Sequence, residues 1–181
     1  GGLTYNPGAH VIDQAVQLFG MPEAVFADIA TLRTGGKVDD YFIIHLMKPA
    51  RMPEVKITLK ASYLMCENEP RFVLHGTEGS YVKYGLDPQE ADLTKGLLPD
   101  APHWGEEDES QWGILHTEKD GNVVRKPYPT LPGNYAAFYE NIYQHIRNGE
   151  VLQSDACGVL GVIRLIEAAW ESSRTGNVRK L

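Results

Sequence analysis

The spacing of apolar residues changes period twice along this chain, and that change constrains the fold more than any other feature. From Pro7 to Phe19 the residues Val11, Ile12, Ala15, Val16, Leu18 and Phe19 recur at helical spacing. His10, Asp13, Gln14 and Gln17 fall on the opposite face. A period of two then takes over, clearest in Glu54 to Ser62, where valine and isoleucine alternate with lysine and threonine. Ala24 to Leu32, Tyr41 to Met47, Arg71 to Leu74 and Tyr81 to Tyr84 read as further strands. Asp120-Gly121, between Gly113 to Thr117 and Val123 to Arg125, predicts a hairpin, because this pair accepts the positive φ of a type I′ turn. Helical spacing returns over Tyr135 to Arg147, then in a stripe of Val159, Val162, Ile163, Ile166, Ala169 and Trp170 that marks Trp170 as core. A helix, many antiparallel strands and closing helices predict an α+β fold: a large, predominantly antiparallel sheet with helices packed on one face. The 181 residues, 43% of them hydrophobic, suit a single domain with a sizeable core.

Composition removes several classes of function. A formal charge of −7 with no basic stripe argues against nucleic-acid and anionic-membrane partners. No apolar run is long enough for a membrane span, and no secretory leader pattern opens the chain, so a cytoplasmic location is expected. Cys66 and Cys157 are far apart, form no metal spacing and read as free thiols. The six histidines include no His-Glu-x-x-His, and no metal site is expected. Arg33 and Lys37 flank a Gly-Gly turn and read as surface charge. Leu86 to Gln111, rich in Pro, Asp, Glu and Gly, is a long excursion with a short helix near Gln89 to Lys95.

The first helix delivers the best candidate for chemistry. Asn6 suits the N-cap and Pro7 the first helical position, which puts His10 in the opening turn. Histidine ordinarily titrates near neutrality, which suits a base that takes a hydroxyl proton. Asp13, one turn on, either orients the imidazole or is simply solvated. Asn134 and Tyr135, after Gly133 at a helix start, offer an amide and a phenol to a sugar-like ligand, with capping and packing as the alternative. Trp104 either stacks on a ligand ring or anchors its loop. No Gly-x-Gly-x-x-Gly turn and no phosphate-binding loop is present, so the usual dinucleotide site is missing.

The run Gly1-Gly2-Leu3-Thr4-Tyr5-Asn6-Pro7-Gly8-Ala9-His10-Val11-Ile12-Asp13 resembles the start of the C-terminal domain of the glucose-fructose oxidoreductase/inositol dehydrogenase (Gfo/Idh/MocA) family. Val38-Asp39-Asp40-Tyr41-Phe42, Arg71 through Ser80, Trp104-Gly105, Trp112-Gly113, Gly133-Asn134-Tyr135 and the closing helix through Gly176 extend the likeness over the whole chain. The resemblance implies an NAD(P)-dependent oxidoreductase acting on a sugar, polyol or related substrate. NAD or NADP would be bound by an N-terminal Rossmann domain absent from this chain, leaving the isolated chain without turnover. His10 holds the position of the motif histidine, which works with a lysine from that other domain. Asn6 departs from the usual aspartate, and asparagine carries no charge and accepts no proton. The resemblance also implies a homo-oligomer formed through the open sheet face. Two rivals stand beside this reading: a non-catalytic ligand-binding or self-association domain of the same fold, and a metal-dependent hydrolase or lyase using His10 and Asp13.

Overall fold

The computed structural model describes the backbone of residues 1–181 and every side chain but that of Lys119. The elements follow the expected order. Helix α1 (Pro7–Phe19) precedes strands β1 (Pro22–Ala30), β2 (Tyr41–Pro49), β3 (Ile57–Ser62), β4 (Phe72–His75) and β5 (Gly79–Lys83). Helix α2 (Gln89–Thr94) and a 3-10 turn at Glu109–Gln111 lead to β6 (Gly113–Lys119) and β7 (Asn122–Tyr128). Helices α3 (Ala136–Asn148) and α4 (Ala156–Thr175) and the short strand β8 (Arg179–Lys180) complete the chain. The α+β class and the antiparallel pairing agree with the sequence. The one large sheet is instead two four-stranded sheets, ordered β3-β2-β1-β8 and β4-β5-β6-β7. Contacts likewise divide the chain into two compact units, Gly1–Cys66 with Ser154–Leu181, and Glu67–Gln153.

The first unit holds the apolar core. Alternation aims Val25, Ala27 and Ile29 of β1 to one face, level with Leu46, Ile44 and Phe42 of β2, and Leu59 and Ile57 continue these rows on β3. Ile12 and Ala15 of α1 and Val162, Leu165, Ile166 and Ala169 of α4 cover that face. Trp170 packs against this core as a half-buried residue. Val159, expected on the same stripe, is exposed, because the core meets α4 only from Val162 onward. Strand β3 starts at Ile57 rather than Glu54, since Pro53 and Glu54 are the central residues of a turn in which the Val55 amide bonds the Met52 carbonyl. The opposite sheet face carries half-buried Phe26, Ile43 and His45, with the Phe26 ring stacked 6.3 Å from His45.

The second unit is a meander, β4 to β7, with α2 and α3. Asp120 (φ 53°) and Gly121 (φ 74°) both take left-handed backbone and close the β6–β7 hairpin as the sequence predicts. Among the described residues no hydrophobic side chain of this unit is buried, whereas Lys83 and Gln89 are. Lys83 Nζ meets both Glu107 carboxylate oxygens at 2.9 and 2.8 Å and the Gln111 carbonyl at 2.8 Å, which fastens the long excursion to β5. No helix among the described residues is long and apolar enough to cross a membrane.

Candidate functional site

The start of α1 is held from below by a buried hydrogen-bond pair. Thr4 is fully buried, and its amide (2.6 Å) and hydroxyl (2.7 Å) both donate to the Asp39 carboxylate, while the Leu3 amide donates to the Asp39 carbonyl at 2.9 Å. A side chain at Gly2 would run into Asp39, so the glycine gives the segment its close approach to the strand entrance. Backbone fixed this way presents Asn6 and His10, one turn apart and both exposed. Neither side chain has a hydrogen-bond partner among the described residues.

Asn6 occupies the N-cap position without capping through its side chain, a correction to the sequence reading. Pro7 removes one of the free amides, and the Gly8 amide is taken by the Leu3 carbonyl at 2.9 Å, so little is left for the carboxamide to satisfy. Asp13 does not orient His10 either. It accepts from Gln17, one turn further on, at 3.5 Å. A cleft in this unit is lined by Tyr5, Ile29, Glu167, Trp170, Glu171, Ser173 and Arg174, and His10 is not part of it. Arg33 and Lys37 are exposed, in keeping with surface charge.

The second unit brings Trp104 and Tyr135 together on one buried amide, while the Asn134 side chain bonds elsewhere. Gln89 Oε1 accepts from the Trp104 indole at 2.8 Å and from the Tyr135 main-chain amide at 2.7 Å. Gly105, at φ 72°, lies against Gly133, whose amide bonds the Gly105 carbonyl at 3.1 Å. Trp104 is half-buried and Tyr135 remains 42% exposed. Burial pushes the Tyr135 phenol above its ordinary range, and the charges of Asp87 and Glu90 add to this, so the group stays a hydrogen-bond donor. Asn134 caps α3, its side-chain oxygen accepting from the Ala137 amide at 3.1 Å.

Two residues in these arrangements escaped the sequence reading. Gln89 was legible only as the start of a short helix, and Asp39 only as part of a strand opening. The Asp87-Pro88 dipeptide signals a turn start, and its Asp87 carboxylate does accept from the Gln89 amide at 2.9 Å. Nothing local says where the Gln89 side chain goes. Among the described residues no three His, Cys, Asp or Glu side chains converge. Both sheets are antiparallel throughout, so this chain's residues do not form the parallel β-α-β unit that seats a dinucleotide.

The family model described as "Oxidoreductase family, C-terminal alpha/beta domain" matches residues 1–181. Scyllo-inositol 2-dehydrogenase (NADP(+)) IolW of Bacillus subtilis is 35% identical over 173 residues, which are 96% of this chain and 47% of that protein. A crystal structure of a candidate oxidoreductase from Bacteroides fragilis is 62% identical with a TM-score of 0.94, covering 100% of this chain and 54% of that one. An oxidoreductase from Bacillus cereus is 33% identical with a TM-score of 0.86, covering 99% of this chain and 52% of that one. The chain thus spans about half the length of the curated relatives it matches.

Proposed function

Since the chain belongs to the Gfo/Idh/MocA oxidoreductase family, as its C-terminal α/β domain, we propose that it is the substrate-binding part of an NAD(P)-dependent oxidoreductase acting on a CH–OH group of a sugar, polyol or related molecule. The observation that carries this reading is the pair His10 and Asn6, exposed and unpartnered one turn apart on backbone fastened by Thr4 and Asp39. His10 would take the proton of the reacting hydroxyl, and Asn6 would bind a hydroxyl as donor or acceptor without sharing charge. A nicotinamide, when bound, supplies the hydride chemistry, and its site lies outside the residues of this chain. The relative named as a scyllo-inositol 2-dehydrogenase supports a cyclic polyol. Within the second unit, Trp104 and Tyr135 would offer a flat ring and a phenolic donor to a sugar-like ligand. The sheet face bearing Phe26, Ile43 and His45 would join copies of the protein.

The test assays the full-length protein with inositols and other polyols and with each nicotinamide cofactor. Turnover is expected there and not with residues 1–181 alone. His10→Ala should lower kcat by about a hundredfold or more, the loss expected for a general base. An unchanged kcat removes His10 from the mechanism.

A further inference from the structure

Trp104 and Tyr135 reach their places from distant parts of the sequence, and one side chain joins them. Gln89 is 1% exposed, and its carboxamide oxygen accepts the Trp104 indole N–H and the Tyr135 main-chain N–H together. Its Nε2 donates to both oxygens of Asp87, at 3.0 and 3.1 Å. The sense of this amide is therefore determined. Turned over, it would set its NH2 against two other donors and its oxygen against a carboxylate. A side chain at Gly133 would strike both Gln89 and Asp87, so the pair sits directly against this glycine. Asp87 thus orients Gln89, and Gln89 orients the indole and the first turn of α3.

We propose that Gln89 is a positioning residue: by holding Trp104 and Tyr135 in one arrangement it sets affinity for the polyol substrate without touching it. This rests on the reading of Trp104 and Tyr135 as substrate-binding. Two variants of the full-length protein separate positioning from simple support. Gln89→Leu removes the shared acceptor. Gln89→Glu keeps it but sets a second carboxyl against Asp87, and the pair behaves like the native amide only while it shares a proton.

With scyllo-inositol as substrate, Gln89→Leu is expected to raise KM about tenfold or more while kcat and the cofactor KM stay within about threefold. Gln89→Glu should show a KM near wild type at about pH 5.5 that rises about tenfold by about pH 8.5, a slope the wild type lacks. The Trp104 indole N–H resonance should move in Gln89→Leu while those of Trp112 and Trp170 stay in place. A Trp104 resonance that moves with an unchanged KM overturns the positioning role. Substrate and cofactor KM rising together, with no pH slope in Gln89→Glu, overturns it as general loosening. If the wild type oxidises no polyol, the proposed function fails and this role fails with it. Wild-type turnover with an unmoved KM in both variants fails this role alone.

Discussion

Asp39 and Asp40 stand side by side at the entrance to β2 and serve backbone rather than chemistry. Asp39 receives Thr4, and Asp40 receives the amides of Leu32 and Arg33 at 2.7 and 3.0 Å. One closes the turn that leads from β1, and the other ties down the segment that leads into α1. A carboxylate with amide donors is a strong and directional acceptor, which explains two acids at the edge of an apolar core. The opposite use of charge appears at Glu171, on the surface of α4, where Arg174 meets both carboxylate oxygens at 2.9 and 2.7 Å and Arg179 also donates. The Arg174 hydrogen bonds hold the Glu171 carboxyl below its ordinary range. A depressed acid contributes stability above its unfolded pKa of about 4.3, and that contribution is lost as pH falls through the folded value. Glu171→Gln should therefore lower Tm at pH 7 by a margin that shrinks as pH falls below the unfolded value, measured by thermal melts at a neutral and an acid pH. Equal differences at both pH values would contradict the ion-pair account.

Helix α4 shows how tertiary contact edits a periodic pattern. Its stripe was legible in the sequence from Val159 to Trp170, yet burial begins at Val162 and is complete at Leu165, Ile166 and Ala169. Leu165→Ala should cost about 2–5 kcal/mol in urea unfolding, the range for emptying a fully buried leucine site. Val159→Ala, 56% exposed in the same helix, should stay within about 0.5 kcal/mol. Equal effects would contradict the placement of the core. The end of α4 performs a second task that its spacing does not reveal. Strand β8 pairs only with Ala24 and Val25, so the β1 amides of Ala27 and Ile29 would lack partners; Ser172 and Ser173 accept them at 3.0 and 2.9 Å. Helix hydroxyls here complete a strand edge. At α1 the lesson is reversed. Asn6 reads as a capping side chain because of its type and place, but the Leu3 carbonyl, three residues before it, already meets the Gly8 amide.

At the scale of the molecule the two units are stabilised differently. Among the described residues every buried hydrophobic side chain belongs to Gly1–Cys66 or Ser154–Leu181, whereas Glu67–Gln153 buries Lys83 and Gln89 in polar networks. Hydrogen bonds and ion pairs contribute little net stability beside apolar burial. Residues 67–153 expressed alone should therefore show no cooperative thermal transition, and a sharp one with a heat-capacity step would refute this. The period change along the chain determined the class, the element order and the amphipathic helices, and the Asp120-Gly121 pair determined the type I′ hairpin, because each of these depends on neighbours within a few residues. The sequence also placed His10 and Asn6 on the first helical turn, since helical spacing alone sets which residues lie one turn apart. Only the tertiary structure decided that the strands form two sheets, that Asn6 leaves its side chain free, and that Gln89 joins Trp104 to Tyr135 across 15 and 46 positions of chain. Those outcomes depend on which distant donors and acceptors meet inside the fold, and a buried polar group takes the partner that folding brings to it.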